Sequence, residues 1–251
     1  MDKPKKSSGK DKFGVECEYE TVPGGVEFFQ PKNVKSKKGG FYEFQFRNMK
    51  KGKVPSNDWE MKKKILNVEA TGYFKLIEDD SDVSMKLRGG HHSNNGKDSA
   101  RCYIFQLFSN GSSENNFAKE YPHGSGKKFY TFKSIKPKFK LGSIKNKWVG
   151  FKGAIYNVEE DGRKAVKCEC YVDLKGVKGD DDKKPGKQEW KKWYEITDKG
   201  NLSKHKKRKE PWLTLQKNSK VNFRLDGFRA GKGNGTKKDW FKFISAREIL
   251  K

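Results

Sequence analysis

Cysteine, arginine, aliphatic residues and long apolar runs are all scarce in this 251-residue chain. Apolar residues reach only 32%, and no run approaches the roughly 20 residues a membrane-spanning helix needs. Only four cysteines occur: Cys17, Cys102, Cys168 and Cys170. Cys168 and Cys170 are separated by one residue, so in a strand they point the same way and are poorly placed to bridge each other. No Cys-x-x-Cys pair exists, which removes the usual zinc-ligand spacing. Free, buried thiols are expected, with no disulfide, no metal and no cofactor. No Gly-rich loop ends in Lys-Ser/Thr. Gly231–Thr236 follows a strand but opens no helix, so it reads as a turn rather than a phosphate cradle. Asp180, Asp181 and Asp182 are consecutive and lack the alternating ligand spacing of a calcium loop, so a solvated acidic loop is expected.

Acidic residues are also few. Thirty-two Asp and Glu face 57 Lys and Arg, leaving a formal charge of +25. A field of that sign concentrates polyanions such as nucleic acid, anionic glycans or an acidic membrane surface. Only eight of the cations are Arg. Lys acts as a hydrated point charge and Arg as the rigid fork used on base edges, so the balance favours backbone, sulfate or carboxylate attraction over sequence reading. Aromatic residues reach 13% and can fill a core despite the low aliphatic count. Residues 1–12, a Lys/Ser/Gly/Pro stretch, are expected to form a mobile basic tail. They lack the apolar stretch of a secretory signal, so the expectation is a cytoplasmic protein, or a secreted one if a signal has been removed.

From residue 13 to 251, strand-length apolar runs alternate with turn signals. The runs are Val26–Gln30, Phe41–Phe46, Ala70–Ile77, Val83–Arg88, Arg101–Phe108, Lys128–Phe132, Trp148–Val158, Ala165–Leu174, Trp190–Ile196, Pro211–Leu215, Val221–Leu225 and Trp240–Ile249. Period two dominates and no amphipathic helix is visible, which points to one all-β sandwich or barrel. Gly90–Ser99, Gly176–Gly186 and the basic run Lys204–Lys209 read as loops. Val149, Phe151, Gly153 and Ile155 share one face of their strand, with Lys152, Ala154 and Tyr156 opposite. Val166, Cys168, Cys170, Val172 and Leu174 likewise oppose Lys167, Glu169, Tyr171 and Asp173, and Val221, Phe223 and Leu225 oppose Asn222, Arg224 and Asp226. If such strands are neighbours, their polar faces form a basic, Tyr-bearing surface.

Several segments resemble the jelly-roll family of concanavalin-like lectins and polysaccharide lyases. They are Thr71–Lys75, Met85–His92, Phe117–His123, Trp148–Asn157 and Trp240–Ile249, so the resemblance covers roughly residues 68 to 251. It implies an antiparallel two-sheet jelly roll whose concave sheet face holds an acidic polysaccharide. In such lyases a cation or amide neutralises the uronate carboxylate, and His or Tyr takes the C5 proton in β-elimination. Carried over, Arg88 is the neutralising cation, with Ser84 and Lys86 on its face. His91, His92 or His123 is the base, and Tyr156 or Tyr171 the acid. Lys86, Lys119, Lys152, Tyr171 and Arg224 are the expected substrate contacts, with Lys119 and Glu120 a surface ion pair. The Arg-x-Glu-x-Arg element of the lyases reads Lys86-Leu87-Arg88 here, and Gln-Ile-His is reduced to Phe105-Gln106-Leu107. The same basic surface also suits a nucleic-acid-binding protein with stacking aromatics, or a jelly-roll assembly protein with a basic arm.

Overall fold

Most of the long runs in which apolar and polar residues alternate form strands. This holds in a computed structural model that describes residues 20–21, 34–36, 42–46, 58–60, 65–77, 79, 81–90, 101–121, 130–182, 184–202, 210–215, 219–226 and 237–250. The strands are β1 (Glu20–Thr21), β2 (Val34–Ser36), β3 (Tyr42–Phe46), β4 (Asp58–Glu60), β5 (Val68–Leu76), β6 (Asp82–Gly90) and β7 (Cys102–Phe108). They continue with β8 (Phe117–Glu120), β9 (Tyr130–Lys133), β10 (Trp148–Glu160), β11 (Arg163–Asp173), β12 (Lys191–Asp198), β13 (Ser219–Asp226) and β14 (Lys237–Leu250). Among the described residues there is no helix.

The strands form two antiparallel sheets. One runs β12-β11-β10-β5-β14-β3-β2, with β1 pairing the far end of β14. The other runs β4-β13-β6-β7-β8-β9. Their inner faces meet in one core. Val149, Phe151 and Ile155 of β10, with Val166, Cys168, Cys170 and Val172 of β11, pack against Val83, Met85 and Leu87 of β6 and Phe105 and Leu107 of β7. Gly153 lies on that inner face because the other sheet leaves no room for more. A Cβ there would come within 2.6 Å of the Met85 sulfur. The β10–β11 hairpin turns on Asp161 and Gly162, whose φ values of 53° and 68° match the twist of the flanking strands.

The face assignments for β10 and β11 hold, with one correction. Leu174 is 51% exposed because β11 ends at Asp173. There the Asp173 carboxylate accepts the N–H groups of Lys175, Gly176 and Glu189 and turns the chain away. Pro211–Leu215 is not a strand. Its carbonyls are taken by side chains, as described below. Phe223 and Leu225 stand opposite Met85 and Val83 in register, but their side chains, the tail 1–12, Cys17, Val26–Gln30 and Lys204–Lys209 lie outside the described residues.

Cys102, Cys168 and Cys170 are free and buried. Burial pushes the Cys168 and Cys170 thiols well above the ordinary range, and it raises Tyr103 and Tyr194 likewise. An acid that holds its proton more tightly when folded contributes its full stability below its unfolded pKa. That contribution is lost as pH rises beyond it. Lys119, Arg88 and Lys242, lowered by burial, act in the opposite sense but are outnumbered by the four raised acids. Urea unfolding at pH 9.5 is therefore expected to give a stability about 2 kcal/mol below that at pH 7.5, since unfolded thiols ionise near 8.5. Equal stability at the two pH values would contradict this account of the thiols.

Candidate functional site

The sequence-derived site residues do not share one face. Arg88 lies on β6 and Tyr156 on β10, which belong to different sheets. Strand alternation also fails at Arg88 itself, whose φ is 53°. Its side chain runs to the end of the sandwich and donates from Nε to Leu66 O at 2.9 Å, from one terminal nitrogen to Trp212 O at 2.8 Å, and from the other to Asn67 Oδ1 at 3.0 Å. It is 2% exposed, and desolvation lowers its pKa to about 10. Every terminal group of this guanidinium is thus committed to the protein. Lys86 occupies the outer face of the six-stranded sheet, where Nζ lies 2.9 Å from Glu120 Oε2 and the Cys102 thiol donates to the same oxygen. Arg224 stands opposite Ser84 in register, with its side chain outside the described residues. His91, His92, His123 and His205 also lie outside them.

Lys119 and Glu120 do not pair, because successive strand residues point to opposite faces. Glu120 meets Lys86, and Lys119 points inward between the sheets. There Lys119 Nζ lies 2.6 Å from Asp198 Oδ2, the oxygen to which Tyr103 OH also donates at 2.7 Å. Lys119 donates further to Glu210 O and stands 4.6 Å from the Trp212 ring centroid. Tyr103 OH in turn accepts the Trp212 N–H at 3.0 Å. Asn157 Nδ2 holds Leu213 O and Arg101 holds Thr214 O. Side chains from both sheets therefore grip the backbone of 210–214.

Lys152, Tyr156 and Tyr171 do come together, on the outer face of the eight-stranded sheet. Lys152 is the cross-strand partner of Tyr171. Its Nζ lies 3.5 Å from Glu69 Oε2 and 4.7 Å from the Trp190 ring centroid. Arg247 approaches the other Glu69 oxygen at 3.3 Å. Tyr156 OH and Tyr171 OH both donate to Glu169 Oε2, at 3.0 and 3.1 Å, while Lys192 meets Glu169 Oε1 at 2.6 Å. Burial lowers the pKa of Lys192, but its hydrogen bonds to Glu169 and Glu195 outweigh that and raise it. Lys152, Tyr156, Tyr171, Glu69, Glu169 and Arg247 are all buried. This polar face is a neutralised network of paired charges, not a solvent-facing basic surface.

The acidic loop after β11 is organised by a lysine. Lys242 Nζ donates to the carbonyls of Gly179, Asp180 and Asp182 at 2.8, 3.2 and 3.4 Å. Asp180 accepts from Trp148 Nε1 and pairs with Lys75. Among the described residues no three His, Cys, Asp or Glu side chains converge as a metal site requires.

A run of exposed lysines lies on the connection between β9 and β10. Residues 130–147 contain six lysines and no Asp or Glu. From Thr131 to Lys140 exposure alternates residue by residue. Lys136, Lys138 and Lys140 are exposed, while Ile135, Phe139 and Leu141 pack onto the core. The buried Asn116 fixes this segment by accepting Ile135 N–H at 2.8 Å and donating to Ile135 O at 3.0 Å. The Lys138 N–H donates to Trp193 O of edge strand β12 at 2.7 Å. Lys145 pairs with Asp79, but Lys133, Lys136, Lys138 and Lys140 lie within ion-pair distance of no described carboxylate, Lys138 being near enough to Glu195 to help lower its pKa. Lysines two residues apart stand at most about 7 Å apart along the chain. The signal was present in the sequence as Lys-x-Lys-x-Lys interleaved with Ile, Pro, Phe and Leu, but no regular strand carries it. Tyr130 and Phe132, at the start of the strip, stack with ring centroids 5.4 Å apart and an interplanar angle of 22°. No protein-family model matches this chain, and no curated protein matches it either.

Proposed function

We propose that the protein is a binding module for a linear polyanion, an acidic polysaccharide or a nucleic-acid strand, and that the contact surface is the Lys133–Lys140 strip. One observation carries this reading. The strip holds exposed cations in a row, none within ion-pair distance of a described carboxylate, whereas the deeper cations at Lys86, Lys119 and Lys152 are each paired within the protein. Unpaired cations release bound counterions from a polyanion when they engage it; the paired ones would first have to lose a carboxylate. Fixing the strip by Asn116 and Trp193 reduces the ordering cost of binding.

The jelly-roll description belongs to the same proposal. It is supported by the sandwich of two antiparallel sheets and by β14 lying between β5 and β3. Lyase chemistry would draw its base from His91, His92 or His123, and a new unsaturated-uronate absorbance on incubation with uronic-acid polymers is its test.

The binding proposal is tested by fluorescence anisotropy with labelled linear polyanions between 50 and 200 mM salt. Replacing Lys136, Lys138 and Lys140 with Gln is expected to reduce the slope of log affinity against log salt by about 2, since each phosphate contact to a single strand contributes about 0.7. An unchanged slope and affinity would remove the strip from the function.

A further inference from the structure

We propose that the polyanion is single-stranded nucleic acid, bound without sequence preference by base stacking on Phe132 beside the lysine strip; this rests on the polyanion reading above. Phe132 is 46% exposed and is the one exposed aromatic side chain among the described residues. It lies on β9, the last strand of the six-stranded sheet, and no further strand flanks it among the described residues. Register places Phe132 opposite Ala118 and Tyr130 opposite Glu120, which puts both rings on the outer face of that sheet. Tyr130 packs against Cys102, Ile104 and Ala118 and is thereby anchored, and Phe132 stacks on it. The result is a supported aromatic plate. Lys136 follows four residues later, within about 14 Å of chain, so a backbone running along the lysines brings its bases to the plate.

The residue types around the plate select among polyanions. A glycan site needs acceptors and donors for many hydroxyl groups, usually carboxylates and amides. Residues 130–147 offer lysines, a few hydroxyls and Asn146, with no Asp or Glu. A base needs only a ring to stack on, and stacking is tolerant of sequence because every base has a π-face. Residues 130–147 also contain no Arg, so the bidentate reading of guanine in a duplex groove has no donor there. Single strands, with bases free to stack, suit the surface better than duplex.

The test uses the full chain and four labelled probes in anisotropy titrations: oligo-dT, an abasic strand of the same length, the matching duplex, and heparin. Oligo-dT is expected to bind about tenfold more tightly than the abasic strand, within the range for stacking on one aromatic side chain. Phe132→Ala is expected to erase that difference and leave the abasic strand and heparin unaffected. Phe132→Trp is expected to keep it, with indole fluorescence quenched on binding oligo-dT. Because Phe132 is exposed, neither change threatens the fold. Equal binding of oligo-dT and the abasic strand would overturn the stacking inference, as would tighter binding of duplex or heparin. In those cases a loss of affinity in the Lys136, Lys138 and Lys140 Gln variant would leave the polyanion reading standing. If that variant binds every probe as the wild type does, the polyanion reading falls as well.

Discussion

Asp198→Ala is expected to lower the stability of the protein by about 3–5 kcal/mol, the range for removing one partner of a buried ion pair. The Asp198 carboxylate takes both the Lys119 ammonium at 2.6 Å and the Tyr103 hydroxyl at 2.7 Å, and Asp198 and Lys119 are both wholly buried. Without it, Lys119 keeps the Glu210 carbonyl and the Trp212 ring but no counter-charge. At this chain length the loss corresponds to a fall of roughly 10 °C in Tm. The control is the double variant Lys119→Met with Asp198→Leu. Removing both charges together removes both desolvation costs, so stability is expected to return most of the way toward wild type. Thermal unfolding of the single and double variants checks this. An Asp198→Ala protein as stable as wild type would mean that Lys119 does not carry its charge in the folded state.

Trp212→Ala is expected to cost a similar 3–5 kcal/mol, as a large-to-small change in a packed core does. Trp212 lies 5.2 Å from the Tyr103 ring and 5.5 Å from the Tyr121 ring, between centroids, with Lys119 and Arg101 over its own ring. It closes the end of the sandwich. The backbone hydrogen bonds from Tyr103 and Arg88 survive the substitution, because they reach the Trp212 N–H and C=O rather than its side chain. The expected consequence is local as well as global: hydrogen exchange across 210–215 should accelerate beyond what the fall in overall stability accounts for. Trp212→Phe keeps a ring in place and should recover more than half of the loss. Denaturant unfolding of the two variants separates these outcomes, and equal stability of Ala and Phe at this position would show that the ring does not seal the core.

The end closed by Trp212 marks the limit of what was legible in the sequence. Period two correctly placed Phe151, Ile155, Cys168, Cys170 and Val172 inside, because alternation is a property of each strand alone. The same reasoning read Pro211–Leu215 as a strand, since its composition fits one. The segment is instead held by Arg88, Tyr103, Asn157 and Arg101, each at least 56 positions away or further along the chain. Arg88 was placed on the face of Lys86 by counting residues. A left-handed backbone at Arg88 itself undid the count.

By itself the sequence determined the all-β class, the inner faces of the long strands, the buried thiols at Cys168 and Cys170, and the excess of positive charge. It also contained the Lys136, Lys138 and Lys140 alternation in plain view. Only the tertiary structure decided which cations are paired within the protein. A strand face bearing Lys152, Tyr156 and Tyr171 has the same local pattern whether it looks onto water or onto Glu69 and Glu169. Glu69 and Lys152 meet because β5 and β10 are neighbours, and Lys119 and Asp198 because two sheets are stacked. Charge is a sum over residues and survives any folding. Its availability depends on partners that long-range strand pairing brings within about 3 Å, the reach of a hydrogen-bonded ion pair.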